Sequence, residues 1–336
     1  MLKLGSLKPR RIIIFSAAVT RRPHIHTEFT AVKARAIALL LILSMIQPVF
    51  AWNDCGHMAI AAMAYAKLSP PAKQRIAVLL QKNPDYAAWV HDAKPGQREL
   101  FAFMRAAIWA DAIKHNADYA DTPEHSASIS ATDFSYSDKA QHRPWHYINN
   151  PFSPDRIPLQ AAATPNIQTQ IAALRRALQA RQSTIDTQSY SLVWLVHLVG
   201  DAHQPLHTTS RFTHAFPYGD KGGNAITLCE QICDSNLHAF WDNALGTSGD
   251  AENVLRAIAQ FPRASGPQAD IIDENIWLLE SAAIAQRVAY APPIDSGAQN
   301  ITLTPAYKTT AYEVARQRAA VAGARLANLL NALLAD

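Results

Sequence analysis

Residues 189–202, S-Y-S-L-V-W-L-V-H-L-V-G-D-A, constrain the fold of this chain more than any other segment. Leu192, Leu195, Val196, Leu198 and Val199 make it an apolar helix suited to a protein interior. Yet His197 and Asp201 sit inside it four residues apart, which puts both on one helical face, one turn from each other. Pro205 stops the helix and lets the chain bring His207 back toward that face. His238 and Asp242 repeat the four-residue offset in a second, largely apolar segment. One such pair is usually only a hydrogen bond. Two of them in apolar helices need compensation, because burying ionisable groups is very costly unless a metal or a partner takes up the charge.

Shorter contexts supply more groups of the same kind. W-x3-G-H runs from Trp52 to His57, I-W-A-D carries Asp111, and P-W-H-Y carries His146. A Trp beside Asp111 and His146 would hold each ligand rotamer and keep the site dry. The set is imidazole and carboxylate without thiolate, which is the donor chemistry of hydrolytic zinc sites. Gly200 is expected to clear space where a metal would approach. Cys55 lies two residues from His57 and reads as a structural or free thiol, since the other donors complete a site without it. Cys229 and Cys233 flank three residues and could close a small disulfide in an oxidising compartment.

The start of the chain reads as an export signal. Lys33 and Arg35 form a basic region, Ile37 to Ile46 an apolar stretch too short to span a bilayer well, and Val49 and Ala51 a small-residue cleavage site. Residues 1–32 precede that signal as an extension, with Val32 a candidate initiator. Cleavage after Ala51 leaves residues 52–336 as one large domain and makes Trp52 the N-terminus. Its free amine and its own carbonyl oxygen can then chelate a metal in a five-membered ring, with His57 joining them. The leader also holds eight Lys/Arg against one acid, so residues 52–336 carry 23 basic and 26 acidic groups, a net −3. Net charge therefore gives no argument for a nucleic-acid partner, and any attraction for anions must be local.

Helical periodicity dominates the rest, and the class is all-α. Helices are expected over 57–67, from Pro70 with Ser69 as cap, and over 99–114, 165–182, 189–202, 236–245, 250–261, 270–289 and 305–334. Thr164-Pro165 and Thr304-Pro305 repeat the hydroxyl-then-proline start signal of Ser69-Pro70. Strand signals are sparse, with one short hairpin expected near 225–235. Loops are expected over 83–97, 119–163 and 208–235.

In this order W-x3-G-H, W-A-D-x2-K, W-H-Y-I-N, H-x3-D-x-H-Q-P-L-H, G-G-N and N-L-H-x2-W-D resemble the zinc-dependent single-strand nucleases of the S1/P1 type, from Trp52 to about Asp242. The resemblance implies the all-α scaffold of the zinc phospholipase C and P1 nuclease type, and three zinc ions. Asp111, His146, His197 and Asp201 would hold one. His207, His238 and Asp242 would hold a second. The Trp52 amine and carbonyl, His57 and a bridging Asp201 would hold the third. Three zincs, three carboxylates and a hydroxide leave such a site positive, so it would draw a phosphodiester. A water shared by two zincs would be deprotonated at neutral pH and attack in line, with no side-chain base needed.

The same resemblance makes Lys114 a phosphate contact on nearly the same helical face as Asp111. It makes Tyr147 and Asn149 base contacts, Gly222 and Gly223 a close backbone approach to the nucleotide, and Asn224 a further contact. A base held this way must be unstacked, which favours single strands. The implied substrates are single-stranded DNA and RNA, giving 5′-phosphate ends, and 3′-mononucleotides. The protein would be a secreted or periplasmic monomer with no stable membrane insertion after processing. A zinc phospholipase C is the rival reading. Against it stand Asp242 where a Glu would close the ligand set, and Tyr147, Asn149 and Gly-Gly-Asn where a base pocket belongs. Of the remaining histidines, His203 is expected to fix a loop or a ligand through a ring N–H, and His91, His115, His125, His142 and His214 to lie on the surface.

Overall fold

The computed structural model describes residues 52–121, 134–296 and 300–335; the expected leader and its cleavage site, and His125, lie outside them. Helix α1 (Asp54–Tyr65) starts where the Asn53 side chain accepts the Gly56 N–H. Helix α2 (Pro70–Leu80) starts as expected, with Ser69 accepting the Ala72 N–H and prolines in the first turn. The short α3 (Tyr86–Trp89) interrupts a stretch expected to be loop.

The helix expected over 99–114 is broken. It becomes α4 (Arg98–Ala106), α5 (Trp109–Ala112) and a 3-10 turn, Ile113–His115. The cause is tertiary. In a continuous helix the Ala107 carbonyl would accept the Asp111 N–H, but that N–H bonds Ile108 O at 3.2 Å. The Ala107 carbonyl instead receives the ring N–H of His197 at 2.7 Å.

Helix α6 (Ile167–Gln179) also departs from expectation. Asn166, not Thr164, caps it: its side chain accepts the Thr169 N–H at 3.2 Å while the Thr169 hydroxyl accepts the Asn166 N–H at 3.0 Å. A reciprocal capping box satisfies two end groups at once and so outcompetes the single hydroxyl two residues earlier. Helix α7 (Ile185–Asp201) is the apolar helix of the opening argument, begins at its Thr184 cap and is buried from Ser189 to its end. It packs beside α6, α2 and α1.

After α7 the chain turns through a 3-10 segment, Pro205–Thr208. The expected hairpin pairs β3 (Thr227–Leu228) with β4 (Ser235–Asn236), antiparallel, and the Cys229–Cys233 disulfide closes its loop. A second pair was not anticipated: β1 (Pro151–Phe152) runs parallel to β2 (Ser210–Arg211). It clamps the segment after His146 to the segment after His207. The hairpin leads directly into α8 (Leu237–Asp242), capped by Asn236. Helices α9 (Ala251–Ile258), α10 (Pro267–Asp270) and α11 (Glu274–Ile284) follow. A π turn over 285–289 completes the segment expected as one helix over 270–289. Helix α12 (Pro305–Leu334) begins as expected at Thr304-Pro305. It lies against α1 so closely that a Cβ on Gly323 would come within 2.9 Å of Met63 Cβ. The small strands leave an all-α protein. Among the described residues no helix is long and apolar enough to cross a membrane.

Candidate metal centre

Five separate segments deliver the site. The first turn of α1 brings His57, α5 brings Asp111, and the 3-10 turn Arg143–His146 brings His146. The end of α7 and the turn beyond it bring His197, Asp201 and His207, and α8 brings His238 and Asp242. All eight side chains are buried. They form three groups whose donor atoms lie within 4.8 Å of one another: His57, His197 and Asp201; Asp111, His146 and His197; and His207, His238 and Asp242. Groups of this kind could hold metal ions.

Asp201 joins the first two groups. Its Oδ2 is 3.1 Å from both His146 Nδ1 and His197 Nε2, while its Oδ1 is 3.2 Å from His57 Nε2. His207 Nδ1 stands 3.9 Å from the same Oδ1, so the third group borders the others at this carboxylate. Asp111 Oδ1 is 3.7 Å from both His146 and His197.

The orientation of the imidazoles tests whether a cation fits. His197 directs Nδ1 to Ala107 O at 2.7 Å, His207 to His146 O at 2.8 Å, and His238 to Gly222 O at 2.7 Å. Each carbonyl can only accept, so each Nδ1 carries a proton and, wherever the ring is neutral, its Nε2 presents a lone pair. His207 and His238 then aim two lone pairs at each other across 3.1 Å, with Asp242 oxygens 3.6–3.7 Å away. That arrangement is repulsive unless a cation lies between them. His57 Nδ1 and Nε2, His146 Nε2, Asp111 Oδ2, Asp201 Oδ1 and Asp242 Oδ2 are buried without a hydrogen bond. Six orphaned donor or acceptor atoms in one region are what a ligand set for metal leaves when its ions are set aside.

Protonation follows the same logic. Burial pushes His57 down to about 4, with His197 adding to the shift. Burial and then the Lys114 ammonium push His146 down to about 3. His207 and His238 are also lowered, chiefly by burial. These four rings are therefore neutral, the form that ligates metal. His197 is the exception: burial opposes its charge, but Asp201 and Asp111 outweigh it and raise its pKa. Burial also opposes the charge on Asp201, yet the surrounding imidazoles hold it well below the usual carboxylate range. Asp242 is driven well above that range by burial, which its neighbour His238 does not offset.

The other expected residues divide. Lys114 is buried, and its ammonium meets Asp111 Oδ1 at 2.6 Å, so it is not a solvated surface lysine. Tyr147 and Asn149 are half-buried and line a small cleft with Pro144, Pro165 and Asn166. Gly222 and Gly223 take the positive φ values that favour glycine. A Cβ on Gly222 would stand 2.3 Å from Leu206 O, and the Gly222 carbonyl aims His238, so this turn builds the third group. The Asn224 amide donates to Lys221 O at 2.8 Å. Trp52 is fully buried, and the next residue's N–H bonds Asp242 O at 3.1 Å, which ties this start of the domain to the end of α8. Its nitrogen is a peptide nitrogen while Ala51 precedes it. Cys55 is a free, buried thiol facing Leu245 O at 3.4 Å and belongs to none of the three groups.

Two expectations need correction. Gly200 does not clear space for a metal directly: a Cβ there would stand 2.8 Å from His57 Nδ1, so the glycine seats the His57 ring. His142 is not on the surface but buried, stacked on Trp145 at 3.7 Å and bonded to Asp138 at 2.8 Å. His203 behaves as expected of a ring that fixes backbone: its Nδ1–H bonds Val199 O at 2.7 Å, while its Nε2 accepts from Arg325 at 3.1 Å. Gln204 was missed. It is fully buried, and its amide donates to Asp242 Oδ1 at 2.6 Å while its carbonyl accepts the Leu206 N–H. Its place inside H-Q-P-L-H was the available signal.

A helical scaffold that gathers nitrogen and oxygen donors into adjoining buried groups has the donor chemistry that metal-dependent hydrolases use. Residues 52–335 match the family described as S1/P1 Nuclease, and the chain belongs to that family. Curated relatives from Arabidopsis thaliana point the same way. The chain is 25% identical to Endonuclease 1 over 323 residues, covering 88% of this chain and 92% of that protein. It is 23% identical to Endonuclease 5 over 320 residues, covering 88% and 94%. The match to Endonuclease 2, 22% identical over 201 residues, covers 60% of this chain and 58% of that protein.

Proposed function

We propose that this protein is a zinc-dependent endonuclease that hydrolyses single-stranded DNA and RNA to 5′-phosphate ends and also acts on 3′-mononucleotides. The observation that carries the reading is the Asp201 carboxylate with one oxygen toward His57 and the other toward His146 and His197, beside the paired lone pairs of His207 and His238. The residues that would hold the ions are those the family resemblance implies: Asp111, His146, His197 and Asp201; His207, His238 and Asp242; and Trp52, His57 and Asp201, with Trp52 able to offer its amine only after cleavage at Ala51. Bound zinc would supply Lewis-acid polarisation of the phosphoryl group and an acidified water.

The chain's own residues do the rest. Asp201 fixes the spacing of the two groups it borders. Asp111 holds the Lys114 ammonium beside the donor groups, where it can pair with a phosphate oxygen. Carbonyls 107, 146 and 222 lock three imidazoles in the ligating tautomer. Tyr147, Asn149 and the turn Gly222–Asn224 hold the base and sugar beside the scissile phosphate.

The test is metal content and substrate preference of protein cut after Ala51. It should bind three zinc ions and cleave a single-stranded oligonucleotide faster than its duplex and faster than phosphatidylcholine. One zinc or none would defeat the three-zinc reading. Preference for the lipid would make the protein a phospholipase C.

A further inference from the structure

Tyr218 is 80% exposed, the highest value of any large hydrophobic side chain among the described residues. A single exposed aromatic is ordinary, but this one stands on a rigid turn. Thr213 and Phe216 exchange backbone hydrogen bonds, and Gly219 N–H bonds Phe216 O at 3.0 Å. Asp220, fully buried, accepts the Arg211 N–H at 2.9 Å and the Tyr290 hydroxyl at 3.0 Å. Gly219 has φ +86°, and a Cβ there would meet Ser210 Oγ at 2.5 Å, so this corner is built for glycine. The backbone beneath the ring is thus fixed, so stacking on Tyr218 need order only its own side chain.

The surroundings state what would stack. Lys221, exposed, follows in the same turn with its N–H on Ser210 Oγ at 3.1 Å. On the other flank, the His214 N–H bonds Asp155 at 2.9 Å, which brings exposed Arg156 alongside exposed His214. Among the described residues neither Lys221 nor Arg156 has an ion pair, so both charges are available to phosphates. One residue beyond Lys221, the Gly222 carbonyl orients His238. Four residues of chain span at most about 14 Å, so the Tyr218 backbone lies within that distance of Gly222, whose carbonyl aims His238. An aromatic face flanked by unpaired cations fits an unpaired nucleobase with its backbone phosphate, whereas a duplex keeps its base faces covered.

We infer that Tyr218, with Lys221 beside it, is a stacking platform for an unpaired base of the substrate strand, a short distance from the bond that is cut. The inference rests on the nuclease reading. It extends the base-contacting surface beyond the residues flanking His146 and beyond Gly222–Asn224.

The test compares two probes, a short single-stranded oligodeoxynucleotide and bis(4-nitrophenyl) phosphate, which has no strand to stack. For Tyr218→Ala, the ratio of kcat/KM on the oligonucleotide to that on the small diester should fall about tenfold, through KM. Tyr218→Trp should restore the ratio, and Lys221→Ala should flatten the salt dependence of oligonucleotide KM. An unchanged ratio in Tyr218→Ala overturns the inference, and so does a Trp variant as impaired as the Ala variant. A wild-type protein that hydrolyses the diester but no oligonucleotide overturns the nuclease reading and this inference together. Equal cleavage of the oligonucleotide by wild type and Tyr218→Ala overturns the inference alone.

Discussion

Gly200→Ala separates the stability of this protein from its capacity for metal. In a helix interior, Ala is favoured over Gly by about 0.5–1 kcal/mol, so on propensity alone the variant should be the more stable. The new methyl, however, would stand 2.8 Å from His57 Nδ1 and 3.0 Å from Cε1, inside van der Waals contact. The ring cannot easily yield, because it stacks on His197 with centroids 3.9 Å apart and planes 17° from parallel. Overpacking of this kind costs about 1–3 kcal/mol. The steric cost equals or exceeds the propensity gain, so the metal-free variant should lie between unchanged and about 2.5 kcal/mol less stable. The displaced ring, in contrast, no longer faces Asp201 Oδ1. Zinc at the His57 and Asp201 group should weaken by about 10–100-fold, the usual effect of disturbing a residue that orients a ligand. Urea unfolding of the chelated protein reads the first quantity, and zinc titration against a competing chelator reads the second. Three zinc sites of wild-type affinity in the variant would refute the reasoning.

Three further outcomes are expected. Gln204→Ala removes the donor from Asp242 Oδ1, so zinc at the His207, His238 and Asp242 group should weaken about 10–100-fold while the other two sites hold; uniform loss across all three sites in the same chelator titration would contradict this. Lys114→Met should retain zinc but lose about 10–100-fold in kcat/KM, as removal of a charged hydrogen bond to phosphate would give; undiminished cleavage would return Lys114 to a purely structural partner of Asp111. The chelated protein should lose stability as pH falls from 6.5 toward 4, since five buried imidazoles (His57, His146, His203, His207 and His238) are lowered below 6.5 and only the unfolded chain takes up those protons. His197, Asp54, Asp220 and Asp242, all raised, oppose this trend but are outnumbered by the five imidazoles. A urea midpoint at pH 5 equal to or above that at pH 7 would count against the assignment.

Much of the site was legible because its chemistry is written locally. The His197–Asp201 and His238–Asp242 offsets each need only a helix to bring two ligand types onto one face, and α7 and α8 supply it. The caps at Ser69 and Thr304 were legible for the same reason: each depends on a side chain reaching three residues along its own chain. At Asn166 the local signal was present but ranked wrongly, because a reciprocal pair beats a lone hydroxyl. His142 was misjudged although both partners are close in sequence, Trp145 three residues on and Asp138 four residues back: the segment carries no helical periodicity to put the three on one face, so only the folded loop stacks the ring and pairs its Nε2.

The sequence by itself determined the helical class, the donor types and the pairs spaced by one turn, since these depend on periodicity and on side-chain chemistry. Only the tertiary structure decided how those donors combine. It turned the two oxygens of Asp201 toward different histidines, 55 and 144 residues away along the chain in the cases of His146 and His57. It broke a helix at Ala107 so that a backbone carbonyl could fix His197. It gave Gly200 the task of seating His57 and Gly222 that of aiming His238. Each of these pairs groups far apart in the chain, and their placement depends on how whole helices pack, which no local pattern encodes.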